Sequence, residues 1–281
     1  MLGTYALLLL AASATFRRLG AASPSLTCGT VSDHSYGVPG SGIYSYLISV
    51  PRECATATNK SLPLILFLHG AGESGTGSAW GLLEGYDPVA CAPGDTSRPI
   101  YPPLALALTN DSRTNGYFML APRTDQLLWN ALPTQVATVL QLLRDTIRQY
   151  PCISPDKVIV TGLSMGGEGT WAVAAASPAS FAGFSPVSGY SLKPLTEAWA
   201  LRSTPAYFAH EASDPLVPVG ITDNIMVPLL RGFGNTRVNQ VIYSLVWSGN
   251  THDAWDPCYR SDDWWSWVGS VVKYVSSWRP A

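Results

Sequence analysis

The chain is poor in charge. Only 13% of its residues are Asp, Glu, Lys or Arg and the formal net charge is −2, so neither a polyanion-binding surface nor a charge-solvated disordered chain is expected. Apart from Arg17-Arg18 there is no basic run, and nucleic acid is therefore not an expected partner. No Cys-x-x-Cys pair occurs, which removes the common zinc and dithiol redox frameworks. Neither Gly-Lys-Ser/Thr nor a well-placed Gly-x-Gly-x-x-Gly is present, so the glycine-rich stretch near Gly70 is not read as a phosphate cradle. Beyond Ala14 no apolar stretch is long enough to cross a bilayer. Internal repeats and composition breaks are absent too, and one domain is expected.

What remains is a chain built for a large core, with 47% hydrophobic residues in 281. Its start is read apart from the fold. Leu2 to Ala14 is apolar but short, and small-x-small sites follow at Ala12-Ser13-Ala14 and Ala21-Ala22-Ser23. The expectation is a leader over residues 1–23, secretion, and a single domain over 24–281 with no stable membrane insertion once the leader is removed. Arg17-Arg18 after the apolar run would also suit a membrane anchor, the alternative localisation. Cys28, Cys54, Cys91, Cys152 and Cys258 fit two bridges and one thiol in an oxidising compartment. Five choices of leftover cysteine, each with three pairings of the rest, leave fifteen arrangements open. Asn59-Lys60-Ser61 and Asn110-Asp111-Ser112 are glycosylation acceptors if the route is a eukaryotic secretory one.

Along the chain, Ser41 to Val50 alternates like an antiparallel strand and ends at Pro51, and Arg52 to Ser61 reads as a loop. Pro63 to Leu68 is continuously apolar, as expected of a strand buried on both faces of a parallel sheet, and Gly116 to Pro122 reads as the next. Gly85 to Pro103, rich in Pro and Gly, reads as surface loop between them. Thr134 to Tyr150 has helical spacing, with Val136, Val139, Leu140, Leu143 and Ile147 on one face, and stops at Pro151. Phe181 to Val187, Pro205 to Ala209 and Val241 to Trp247 are further strands. Ile221 to Leu230 is read as helical despite Pro228, and Trp264 to Trp278 as a closing aromatic helix. This alternation predicts an α/β fold, a mostly parallel central sheet with helices on both faces.

The chemistry centres on Val158 to Trp171. A β-branched run ends at Gly162-Leu163-Ser164-Met165-Gly166, and an Ala-rich helical segment follows. This strand–turn–helix with Gly-x-Ser-x-Gly is the nucleophile-elbow pattern, in which side-chain-free flanks let a strained serine project above a sheet. A serine hydroxyl needs a histidine to take its proton and a carboxylate to hold that histidine. Of the four histidines, only His252 follows the last expected strand, in the loop Ser248 to Trp255. Asp214, opening a turn before Pro215, is chosen as the acid. Glu211 on the same loop is its main rival, and Asp223, Asp253 and Asp256 are lesser ones. The oxyanion of an acyl-transfer intermediate needs two backbone donors. Met165, directly after the serine, and Ala71, in the loop after the early strand, are the candidates, and His69 is read as ordering that loop.

Taken together, Leu68-His69-Gly70-Ala71-Gly72-Glu73, Gly162 to Gly167, Ser213-Asp214-Pro215-Leu216-Val217-Pro218 and Thr251-His252-Asp253-Ala254-Trp255 resemble the α/β-hydrolase superfamily. Within it they resemble the secreted esterases that include feruloyl esterases, polyhydroxybutyrate-depolymerase-like enzymes and predicted peptidases. The resemblance runs from about Ile43 to the carboxyl end. It implies the α/β-hydrolase fold, nucleophile Ser164, acid Asp214, base His252 and oxyanion amides from Ala71 and Met165. One departure is His210-Glu211-Ala212, where the family commonly has glycine after the histidine; it keeps Glu211 in contention.

The expected activity is hydrolysis of small-molecule or polymer-linked carboxylic esters through an acyl-enzyme, without metal or organic cofactor. Trp80, Trp129 and Trp255 are candidates for lining the substrate pocket, against the commoner use of tryptophan as core. A serine peptidase on the same triad, or a non-catalytic binding protein on this fold, are the alternative readings.

Overall fold

The computed structural model describes residues 30–57, 62–83, 103–108, 111–244 and 251–271. The leader at residues 1–23, Cys28, Cys91, both sequon asparagines and almost all of the Gly85–Pro103 loop lie outside the described residues.

Eight strands form one sheet: β1 (Thr30–Ser35), β2 (Ile43–Val50), β3 (Leu62–Leu68), β4 (Phe118–Thr124), β5 (Ile153–Leu163), β6 (Gly183–Val187), β7 (Ala206–Glu211) and β8 (Val238–Tyr243). Their order is β1-β2-β4-β3-β5-β6-β7-β8. The pairs β1/β2 and β2/β4 are antiparallel, and every pair from β4 to β8 is parallel. The connection from β3 goes to one side, to β4, and the chain then returns past β3 to build outward from β5. The carboxyl ends of β3 and β5 therefore flank the point where the winding reverses, the usual place for a site in an open α/β sheet.

The apolar run of β3 has the physical consequence expected of it. Leu64, Leu66 and Leu68 point into one core and Ile65 and Phe67 into another, on the opposite face. Helices cover both: α1 (Pro103–Leu108), α2 (Gln135–Gln149), α3 (Met165–Ala176), α4 (Pro194–Ala200), α5 (Val227–Gly232), α6 (Trp255–Arg260) and α7 (Asp262–Ser270). The first core takes Val139 and Leu143 of α2, Trp171 and Val173 of α3, Ala198 of α4 and Leu230 of α5. The second takes Leu104 of α1, Trp255 and Cys258 of α6, and Trp264, Trp265 and Trp267 of α7.

Several boundaries differ from the sequence expectation. β1 and α4 were not anticipated, because β1 is a mostly polar edge strand, Thr-Val-Ser-Asp-His-Ser, and α4 is a short helix of about two turns opened by Pro194. A 3-10 turn, Arg52–Ala55, interrupts the loop after β2. The Ile221–Leu230 segment is helical as expected, a π-type turn, Thr222–Met226, running directly into α5, with Pro228 the second residue of α5. The last strand begins at Val238, not Val241, and residues 245–250 lie outside the described ones. The closing aromatic helix is two: Ser261 has an extended backbone and its hydroxyl accepts from Asp263 N–H, starting α7 afresh. Residues 272–281 of that expected helix are outside the described residues.

Of the open cysteine pairings, the structure has Cys54–Cys152, with Cys258 a buried free thiol. The bridge joins the turn after β2 to the start of β5 across 98 residues of sequence. A loop that long, once cross-linked, removes much of the freedom of the unfolded chain, worth about 2–4 kcal/mol in typical proteins. Replacing both cysteines by serine is therefore expected to lower the unfolding free energy by about that amount in urea titration; an unchanged midpoint would show that the bridge adds nothing.

Candidate active site

The site starts with a steric constraint. β5 and α3 meet at Ser164, whose backbone lies at φ 52°, ψ −116°. Such a conformation is uncommon for a residue with a side chain and costs on the order of 1–3 kcal/mol, so its surroundings must hold it. Ser164 N–H donates to Val187 O at 2.9 Å, and Ser164 O accepts from Glu168 N–H at 3.1 Å. Gly166 makes the turn possible: a Cβ there would lie 1.9 Å from the Leu68 carbonyl oxygen at the end of β3. Gly162 is similarly wedged, with Gly166 O at 2.3 Å from where its Cβ would be.

From Ser164 a line of hydrogen bonds runs inward. Ser164 Oγ is 2.9 Å from His252 Nε2, and His252 Nδ1 is 2.6 Å from Asp214 Oδ2. The structure thus brings together the three residues singled out in the sequence, from the ends of β5 and β7 and the loop beyond β8. Asp214 is fixed on its other oxygen, where Oδ1 accepts the Leu216 and Val217 amides, each at 2.9 Å. Burial raises the pKa of this carboxyl, but hydrogen bonds from His210, His252 and the Val217 amide prevail and hold it well below the usual carboxylate range.

The rival acids have other positions. Glu211 is buried at the end of β7, and the carboxylate bonded to His252 Nδ1 is that of Asp214. Asp253 Oδ1 accepts the Asp256 amide at the entry to α6, and Asp223 Oδ1 accepts from Gln240 of β8. Two residues that sequence reading passed over as site residues brace the line. His210 reaches Val217 O at 2.7 Å and Thr222 Oγ1 at 2.8 Å, with Nε2 also 3.3 Å from Asp214 Oδ2. Ser188, a second non-glycine residue at positive φ, 46°, donates from Oγ to His252 O at 3.1 Å. Only the strained backbone marks Ser188, and nothing in the sequence pattern does.

The opposite wall is the loop after β3. Ala71 opens the 3-10 turn Ala71–Glu73, and Met165 is the first residue of α3, where amides lack an intrahelical acceptor. His69 behaves as the loop organiser anticipated. It is fully buried, its Nε2 accepts the Thr124 amide at 3.0 Å, and its Nδ1 donates to Gly70 O at 2.6 Å. Burial pulls its pKa down to about 4, so the ring is neutral and fixed in one tautomer. Arg123 was not foreseen. It donates from Nε to Glu73 O at 3.0 Å and from Nη1 to Ser78 O at 2.6 Å, and Gly75 makes room for this guanidinium, not for backbone approach to the site.

A cavity of about 430 Å³ opens over Ser164 and His252, walled by Gly70 to Glu73, Leu82, Leu163, Leu216 and Trp255. Of the three tryptophans proposed to line it, Trp255 does, and it packs edge-on against His252 with ring centres 5.1 Å apart. Trp80 stands exposed on the turn Ala79–Leu83, which sends Gly81 and Leu82 to the wall instead. Trp129 corrects the expectation outright. It is fully buried, donating from Nε1 to His69 O at 3.0 Å and from its backbone N–H to Glu168 Oε2 at 3.2 Å. It thus pins the loop after β4 between the Ala71 loop and the serine helix, and it is not among the residues that wall the cavity over Ser164. Burial lifts the Glu168 carboxyl at that junction to about 7.

No family model matches the chain. Acyl-protein thioesterase 1 of Saccharomyces cerevisiae is 28% identical over 173 residues, 56% of this chain and 72% of that protein. Among solved structures, a thermostable esterase superposes with a TM-score of 0.67 at 23% identity, over 86% of this chain and 63% of its own. An acylaminoacyl peptidase of Pyrococcus horikoshii superposes at 0.61 with 12% identity, over 91% of this chain and 44% of its own. The match thus spans less than two thirds of either solved chain. At these identities the structural likeness concerns the fold.

The depressed pKa of Asp214 carries a sign. Its stabilising contribution is complete above the unfolded-state value of about 4 and is lost as pH falls toward the lower native value. The stability advantage of the wild type over Asp214→Asn is therefore expected to shrink by about 1 kcal/mol between pH 6 and pH 3, read by urea unfolding at both. A gap independent of pH would contradict the assignment of this charge.

Proposed function

From the α/β-hydrolase fold that this chain adopts, we propose that it is a secreted serine hydrolase cleaving carboxylic esters through an acyl-enzyme. The reading rests on one observation: the unbroken line Ser164 Oγ–His252–Asp214, at 2.9 and 2.6 Å, ending under an open cavity. His252 Nε2 takes the Ser164 proton as Oγ attacks the ester carbonyl. Asp214, charged and held by two backbone amides, keeps Nδ1–H directed toward itself, so that Nε2 is the free base, and it offsets the imidazolium charge that then develops. The Ala71 and Met165 amides accommodate the oxyanion, each worth on the order of 3–4 kcal/mol to the transition state. His252 next protonates the departing alcohol, and its free Nε2 then activates water to release the acid. Nucleophile and base are both protein groups, so the scheme calls for no metal or organic cofactor.

The yeast relative's name, an acyl-protein thioesterase, supports acyl transfer from an ester-like bond over amide cleavage. The disulfide supports an oxidising compartment, and with it the leader at residues 1–23 and the mature domain at 24–281. The test uses protein recovered from the culture medium. It should hydrolyse a short-chain chromogenic ester, and Ser164→Ala should reduce kcat by a factor on the order of 10⁴ or more. Turnover that survives in Ser164→Ala, or preferential cleavage of the matched amide, would overturn the reading.

A further inference from the structure

The short helix α4 keeps large apolar side chains away from the core. Ala198, and Leu201 just beyond the helix, pack into the first core, and Glu197 is buried with Ser191 Oγ donating to it. Leu195 and Trp199, four residues apart and so on one helix face, are 64% and 54% exposed, and Leu192 precedes them at 47%. Single exposed apolar residues are ordinary on a protein surface. Here three of the eight large exposed ones among the described residues fall within residues 192–199, which makes a patch.

The patch has a positive rim. The Arg202 guanidinium lies over the Trp199 ring, 4.3 Å from its centre, and Phe233, directly after α5, meets that ring edge-on at 5.4 Å. Arg237 donates to Ser203 O, one residue beyond Arg202, and Arg231 is exposed in the last turn of α5, two residues before Phe233. At the other end Lys193 is exposed, within electrostatic reach of the Glu168 and Glu197 carboxyls. The two acids on α4, α5 and the turn before α5 are engaged, Glu197 by Ser191 and Asp223 by Gln240 of β8.

Leucine and tryptophan with arginine beside them suit a bilayer interface, where apolar groups enter the acyl boundary and guanidinium groups stay among the head groups. A second copy of the same face fits less well, because a two-fold contact would set these arginines against their own counterparts. We propose that α4 docks the protein on an anionic lipid bilayer, with Leu192, Leu195 and Trp199 entering the interface and Arg202, Arg231 and Arg237 meeting the head groups. The contact is peripheral and reversible. α4 has seven residues and is about 10 Å long, and no helix among the described residues is long and apolar enough to cross a membrane. Leu192 comes four residues after Ser188, which braces His252, so the docking segment leaves the sheet at the end that carries Ser164. A small apolar face alone binds weakly, and each cation near an anionic surface adds about fivefold in partition, so both parts are needed.

The test is flotation of the whole protein with vesicles of phosphatidylcholine, alone or mixed with phosphatidylglycerol, at low and high salt. Circular dichroism checks that each variant is folded. Wild type should partition onto the mixed vesicles about tenfold or more better than onto the neutral ones at low salt, and high salt should remove most of that difference. The double variant Leu195→Ser/Trp199→Ser should lower partition by about tenfold or more, and Arg202→Glu by about fivefold or more. If the double variant does not fold, Leu195→Ser alone, at the more exposed position, takes its place with a loss of about threefold or more. Failure of wild type to float with the mixed vesicles overturns the proposal, as does equal binding to both vesicle types at either salt. Binding that either variant retains also overturns it, since another surface or plain ionic adsorption would then be responsible. A dimer in sedimentation equilibrium that the serine substitutions dissociate, without vesicle binding by wild type, would assign the patch to a second copy and overturn it too. Hydrolysis of a soluble ester is a separate readout, so none of these outcomes bears on the esterase reading.

Discussion

The contact between Gly166 and the Leu68 carbonyl underlies the rest of the structure. It allows the serine helix to press against the end of β3 more closely than any side chain would permit. That closeness holds Ser164 in its positive-φ conformation, and it also sets the separation between the serine and the loop that leaves β3. Ser164 and the Ala71 loop are thus two ends of one packing decision. A chain that loosened it would regain an unstrained backbone and lose the alignment of the two walls.

Around this contact, polar groups are buried in an order that keeps them from moving. Asp214 spends one oxygen on its own turn and the other on His252; His210 and Thr222 steady that turn from behind, and Ser188 takes hold of the His252 carbonyl. On the other side His69, Trp129 and Glu168 link the loop after β3, the end of β4 with the loop that follows it, and α3 through main-chain atoms. A low local dielectric strengthens such bonds and makes each unmade one expensive, so loops that would otherwise be mobile become parts of a rigid frame.

Much of this was legible from residue order. The apolar run of β3, the amphipathic spacing of α2 and the Gly-x-Ser-x-Gly turn each encode a local geometry through sterics and periodicity, and each is found where expected. What failed to show was of two kinds. β1 carries a single apolar residue, Val31, too little for a period, since a mostly polar edge strand is defined by its partner and not by its own composition. Trp129 could have served as core or as pocket, and its sequence neighbours do not say which; Gly169, whose notional Cβ would lie 2.4 Å from the Trp129 ring, leaves the space that takes it inward.

The sequence by itself determined the alternation that makes an α/β sheet and the place of Ser164 at a strand–helix turn, because these follow from local backbone preference and from the direction of parallel strands. Only the tertiary structure shows which of Asp214 and Glu211, three residues apart, meets His252: Asp214, in the turn after β7, bonds it from 38 residues away, while Glu211 ends the strand. It likewise decided which cysteines meet, which tryptophan borders the cavity, and that Arg123 would hold the Glu73 loop from 50 residues away. Distances across a fold are set by packing, and packing is a property of the whole chain.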